Sequence, residues 1–187
     1  MGDDADQLYV STTRPQVEGD DLSGITGMKP GDIFFCRKDD KGKWTQMEAV
    51  EGELNTEYDE GACCFAPDGK TMYVTRCATD PSYPRYAQIL TSQRSDATWG
   101  APKPVTISND TLTSYAHPAI SPDGRWLYFT SDMPGGFGGL DIWRCDITTK
   151  EVGAPENLGP EINTPGDECF PAFRPTGEFS FSSNGHV

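Results

Sequence analysis

Ala66-Pro67-Asp68-Gly69, Ser121-Pro122-Asp123-Gly124 and Arg174-Pro175-Thr176-Gly177 are three versions of one turn, and the strand pattern after each decides the fold. The first runs into Thr71-Met72-Tyr73-Val74-Thr75, the second into Trp126-Leu127-Tyr128-Phe129-Thr130-Ser131, the third into Phe179-Ser180-Phe181-Ser182-Ser183. Proline presets φ, aspartate bonds nearby backbone amides and glycine accepts positive φ, so each turn reverses the chain into a strand. The turn prolines lie 55 and 53 residues apart. A period of that length, carrying β rather than helical patterning, marks propeller blades.

Three further segments repeat around each turn. A first strand precedes it at 61–66, 116–121 and 169–174. A third strand is read at 32–36, 87–91 and 141–145. A polar fourth surrounds Trp44, Trp99 and Val152 and ends at 48–50, 104–106 and 156–158. Four meander-connected strands make a blade, with the small, apolar first strand suited to the axis and the polar fourth to the rim. The expected fold class is therefore all-β, a partial β-propeller of four-stranded antiparallel blades. Two blades are whole, 61–106 and 116–158, and two are incomplete, 8–50 and 169–187. The chain 1–187 reads as a single propeller segment of a larger protein, because closure takes four to eight blades.

The composition of 187 residues agrees with this class. Twenty Gly, 15 Pro and only 35% hydrophobic residues suit short strands closed by tight turns. A net charge of −14 and a pI near 4.4 argue against nucleic acid and against an anionic membrane surface, both of which need cationic partners. No apolar run reaches the roughly 18–20 residues of a membrane span, and the acidic opening Met1-Gly2-Asp3-Asp4 is no signal peptide. Cys36, Cys63, Cys64, Cys77, Cys145 and Cys169 form no CxxC pair and have no histidine at ligand spacing, so no metal site is expected. They stay open between buried free thiols and a disulfide.

The stretch Leu127 to Trp143, containing Thr130-Ser131-Asp132-Met133-Pro134-Gly135-Gly136-Phe137-Gly138-Gly139-Leu140-Asp141, resembles the TolB-like, WD-type propeller repeat known as the PD repeat. It is most similar to the version in OmpA-family envelope proteins of Bacteroidetes-type bacteria. Asn157 to Glu168 resembles that family's inter-blade linker, and Phe181-Ser182-Ser183-Asn184-Gly185-His186 the opening of another copy. The resemblance covers the whole chain as a repeat and is specific over 116–186. It implies a periplasmic, outer-membrane-associated location, with envelope proteins as partners and, for some members, a place in the type IX secretion and gliding machinery. Peptidoglycan contact is implied only through other domains of a parent protein, since no lipobox cysteine or OmpA-like segment is present. Two stretches depart from the pattern: an acidic insertion from Pro15 to Gly31, and Pro81-Ser82-Tyr83-Pro84-Arg85-Tyr86 in place of the Gly-rich loop.

Candidate residues come from the same alignment. Gly135-Gly136-Phe137-Gly138-Gly139 precedes a strand, whereas a phosphate loop needs a following helix, so nucleotide binding is not expected and no cofactor is assigned. Phe137 in that loop, with Tyr83 and Tyr86 in the loop confined to one blade, are the expected contact residues. Asp32 and Asp141 open third strands and read as latches on loop amides. Pro67, Asp68, Gly69, Pro122, Asp123, Gly124, Pro175 and Gly177 read as structural. Asp59-Glu60 and Asp167-Glu168 recur before the turns and fix the entry to the first strand; a carboxylate ring for Ca²⁺ is the alternative. Trp44 and Trp99 align across repeats and read as inter-blade packing, with a peptide or sugar platform as the alternative. His117 and His186 join no Ser/His/Asp arrangement, and no elbow motif exists. The expected function is a non-enzymatic protein–protein scaffold displaying the loops Pro15–Gly31, Asp80–Tyr86 and Met133–Gly139. The alternatives are a carbohydrate- or peptidoglycan-binding module, and the propeller of a glycosidase or oligopeptidase.

Overall fold

The computed structural model describes residues 6–13, 30–80, 83–110 and 112–186, with the side chains of 78–86 outside that description. Most of the acidic insertion, 15–29, therefore lies outside it. Among the described residues there is no helix; fourteen strands form four antiparallel sheets. The first sheet holds β1 (Gln7–Thr12), β2 (Asp32–Arg37) and β3 (Glu48–Ala49) in that order. The second holds β4 (Asp59–Phe65), β5 (Thr71–Asp80), β6 (Tyr83–Ser95) and β7 (Thr98–Trp99), with β8 (Lys103–Pro104) also paired to β6. The third is β9 (Tyr115–Ile120), β10 (Trp126–Ser131), β11 (Asp141–Asp146) and β12 (Glu156–Asn157). The fourth is β13 (Glu168–Phe173) with β14 (Phe179–Ser183).

The three turns are built as their sequences dictate. In the first, Gly69 N–H donates to Ala66 O at 3.0 Å with Gly69 at φ 63°, and Asp68 accepts from the amides of Lys70 and Thr71. The second repeats this with Gly124 at φ 73° and Asp123 accepting from Arg125 N–H; there the Ser121 hydroxyl holds the Asp123 carboxyl below its usual range. In the third, Thr176 stands where the others have aspartate, and Gly177 at φ 92° still closes onto Arg174 O at 2.9 Å. The third closes from Arg174 to Glu178 as the common three-residue hairpin, a type I turn ending in a left-handed glycine, while the first two close one residue later, at Thr71 and Trp126.

Strand alternation then sets the core. In the second sheet Met72, Val74 and Leu90 pack toward the first sheet's Ile33. Their neighbours Tyr73, Cys64 and Ile89 pack toward Ile120, Leu127, Phe129 and Trp143 of the third. A strand with period-2 side chains and both faces buried needs a sheet on each side. The second-strand aromatics mark the seams: Tyr9 meets Phe65 at 4.8 Å between ring centroids, and Tyr128 meets Phe173 at 4.9 Å. Complete burial of residues such as Phe129 and Ile142 contributes about 1.5–3 kcal/mol each, well above the 0–1 kcal/mol of an exposed rim ion pair such as Arg174–Glu178. The apolar seams hold the sheets together, not the rim charges.

Three sequence expectations need correction here. The third strand of the second sheet is shifted by one residue: Val50, Val105 and Leu158 donate to Ile33, Ile89 and Ile142, so Gln88, not Ala87, is the counterpart of Asp32 and Asp141. The hairpin between β5 and β6 is longer than that between β10 and β11, pairing as far as Asp80↔Tyr83, and local pattern does not reveal the extra length. For the same reason Tyr83 and Tyr86 lie in strand β6 and not in a loop, with Ala78↔Tyr86 in register. Finally, Trp44 and Trp99 hold matching registers, opposite Lys38 and Arg94, but only Trp99 is packed away between sheets. Trp99 is 1% exposed, clamped where its N–H donates to Glu51 O and its carbonyl accepts from Glu53 N–H. Trp44 is 48% exposed, with the Lys38 ammonium over its ring at 5.2 Å.

Candidate interaction surface

The Gly-rich loop between β10 and β11 is held from below. Asp141, buried at the start of β11, accepts from the amides of Phe137 and Gly138 and from Asn157 Nδ2 at 3.2 Å. At Gly138 a Cβ would overlap the Gly166 and Thr164 carbonyls, so only glycine lets the loop lie against the next linker. Phe137 stands on this fixed backbone, 47% exposed. Asp32 opens β2 at the equivalent place and is also buried. The Tyr83 and Tyr86 side chains lie outside the described residues.

Below the loops the sheets are joined by clasps that sequence reading saw only in part. Asn55 Oδ1 accepts from Ile33 N–H at 2.8 Å while its Nδ2 donates to Ile33 O at 3.0 Å. Asn163 does the same to Ile142 at 2.8 and 2.9 Å. The next residue binds ahead: Thr56 N–H and Oγ1 donate to the Glu60 carboxylate, and Thr164 N–H and Oγ1 donate to that of Glu168. Asp59 Oδ1 accepts from Gly31 N–H at 2.7 Å, and Asp167 Oδ1 from Leu140 N–H at 3.1 Å. Each clasp thus ties the linker and first strand of one sheet to the third strand of the sheet before it. The signal was in the chain as Asn-Thr-x-x-Asp-Glu at 55–60 and 163–168, of which only the acidic pairs were read.

The two buried glutamates differ electrostatically. Burial pushes Glu60 above the usual carboxylate range, with Thr56 and the Arg76 guanidinium at 2.8 Å recovering only part of the shift. At Glu168 burial also pushes upward, but hydrogen bonds from Ser183 and Thr164, with His186 nearby, outweigh it and leave the pKa lowered. These oxygens are spent on neighbouring donors. Among the described residues no group of three His, Cys, Asp or Glu side chains is placed to hold a metal ion.

A second feature was missed altogether. Each first strand carries a bulge, between Glu60 and Cys63, between Ala116 and Ala119, and between Cys169 and Ala172. In two of them the bulged residue before a proline takes a left-handed backbone, His117 at φ 53° and Phe170 at φ 55°. The rings stack at 3.8 Å, His117 N–H donates to Thr75 Oγ1 at 2.9 Å, and His117 Nδ1 is buried without a partner. Burial pushes the His117 pKa down, which keeps the ring neutral at pH 7. All six cysteines are free thiols; burial pushes Cys63 up to about 11 and Cys145 to about 12.

No protein-family profile and no curated protein matches the chain. Among solved structures, a protein of Agrobacterium tumefaciens assigned as a TolB superposes with a TM-score of 0.59 at 18% identity, over 96% of this chain and 51% of that one. A Bacteroides uniformis protein assigned as a 6-phosphogluconolactonase aligns at a TM-score of 0.43 and 13% identity, over 83% of this chain and 44% of that one. The chain spans about half the length of the first, and its all-β, multi-sheet fold is TolB-like.

Proposed function

We propose that this chain is the β-propeller part of a bacterial cell-envelope protein, periplasmic and outer-membrane-associated, and that it works as a non-enzymatic scaffold for protein partners. In this reading each sheet is a blade, its first strand faces the axis, and the clasps set one blade against the next. The carrying observation is the Gly-rich loop. Asp141 fixes its backbone from a buried position while Phe137 projects from it, which is how a rigid frame offers an apolar contact at low entropic cost. The carboxylates singled out in the sequence serve backbone amides and hydroxyls, which favours a structural over a catalytic role for them. The envelope location and the type IX secretion machinery rest on the sequence resemblance, and that machinery is the first assembly to test. Peptidoglycan would be reached through other domains of the parent protein.

The test is cross-linking from this segment in the parent protein inside cells, followed by mass spectrometry of captured partners. Recovery of outer-membrane or secretion proteins, reduced by Phe137→Ala and abolished by replacing 133–139 with a short turn, supports the scaffold. Capture unaffected by both changes, or turnover of a bound glycan or peptide by the purified protein, refutes it.

A further inference from the structure

The seam between the second and third sheets is built differently from its neighbours. The other two linkers are drawn onto a third strand by Asn55 and Asn163. Among the described residues the linker from β8 to β9 has no asparagine clasp; Ser114 Oγ accepts from Ala87 N–H on β6 at 3.5 Å, and Ser108 to Thr113 bond among themselves and to Tyr115. Ser108 Oγ lies 2.7 Å from Tyr115 Oη and accepts from Asp110 N–H, and Asp110 binds Leu112 N–H and Thr113 Oγ1. Between this linker and the β11–β12 turn a cleft of about 680 Å³ opens, inside the size range of small-ligand sites.

We propose that this cleft binds a neutral saccharide, a site separate from the loop surface assigned to protein partners. Its walls present two chemistries side by side. Val105, Ile107, Val152 and the Tyr73 ring offer apolar surface for the C–H faces of a pyranose. Thr106 and Asn109, both exposed on the lip, offer a neutral hydroxyl and amide for sugar hydroxyls.

Charge and backbone exclude the competing ligands. Lys150 and Glu151 sit together on the rim and cancel, while a net charge of −14 repels an anionic chain. An added peptide strand is disfavoured as well. Val105 N–H points inward to Ile89 O, so Pro104 lies at the outer edge, where it has no N–H to continue a ladder.

The experiment is amide-resolved NMR of the full chain titrated with maltotetraose and with tetra-N-acetylchitotetraose, beside oligogalacturonate and a Val/Pro-rich peptide. The proposal expects at least one neutral tetrasaccharide to shift Thr91, Thr106–Asn109 and 149–152. Asn109→Ala and Thr106→Ala should each weaken that binding by about threefold or more. Val105→Trp, which fills the cleft from its wall, should abolish it while amides away from the second and third sheets' seam keep their positions. It is overturned if neither neutral sugar shifts these amides up to about 10 mM. It is equally overturned if oligogalacturonate or the peptide binds there as well or better, or if the alanine variants bind unchanged.

Discussion

Removing the Asn163 clasp should be among the most damaging single truncations outside the apolar core. Asn163 is buried and makes three hydrogen bonds: Oδ1 accepts from Ile142 N–H, while Nδ2 donates to Ile142 O and to Asn157 Oδ1. In Asn163→Ala the Ile142 N–H, itself fully buried, is left unpaired at a cost of about 1–3 kcal/mol. The Ile142 carbonyl keeps Leu158 N–H at 3.2 Å, so that end loses only about 1 kcal/mol of net hydrogen bonding. The loss comes to roughly 2–4 kcal/mol, or about 4–16 °C in Tm for a chain of this size. Asn55→Ala should cost somewhat less, because Asn55 makes the same two bonds to Ile33 without a third. Asn109→Ala, exposed in the unclasped linker, should stay within about 0.5 kcal/mol. The assay is urea unfolding at constant m-value, paired with hydrogen exchange. Ile142 should exchange faster in Asn163→Ala alone, and Ile33 faster in Asn55→Ala alone. A variant at 163 no less stable than the one at 109, with Ile142 still protected, would refute the clasp as a structural tie.

The two buried glutamates should give opposite pH signatures. Glu168 has a lowered pKa, so its contribution is present above the ordinary carboxylate pKa and is lost as pH falls through the folded value; the gap between wild type and Glu168→Gln should shrink on acidification. Glu60 has a raised pKa, so its contribution is greatest below the unfolded value and declines as pH rises through the folded one; its gap to Glu60→Gln should narrow in that direction. Denaturation at a series of pH values checks both slopes. Cys63, at about 11, should carry roughly 200-fold less thiolate at pH 8 than an ordinary cysteine, so iodoacetamide should label it in unfolded but hardly in native protein. Gly52→Ala should destabilise strongly, since Gly52 holds φ 112° and a Cβ there overlaps the Trp99 backbone; a Tm within a few degrees of wild type would contradict the clamp on Trp99.

What could be read from the chain divides by how local the cause is. The Pro-Asp-Gly turns carry their geometry in four residues, so the strands on either side of Pro67, Pro122 and Pro175 fall where the repeat puts them. The one-residue shift to Gln88 arises from a longer hairpin between β5 and β6, whose extra length local pattern does not reveal. The asparagine clasps join side chains to backbone 21 or 22 residues away in another sheet. No window of local pattern contains both partners, and only the recurrence of Asn-Thr-x-x-Asp-Glu betrays them. His117 and Phe170 are harder still, because a residue before proline is expected to be extended, and the left-handed turn is imposed by the bulge in the ladder.

Trp44 and Trp99 show the limit of arguing from alignment. They occupy matching places in the repeat, yet one ring is shut in and the other is half open. The difference lies in Glu51, Gly52 and Glu53, a linker that reaches across from the first sheet and brackets the Trp99 backbone. A repeat specifies its own strands well because each copy must satisfy the same ladder. It specifies the seams poorly, since a seam depends on two copies and on the linker between them. The features that distinguish one face of this protein from another sit at those seams: the clasps, the stacked bulges and the unclasped cleft.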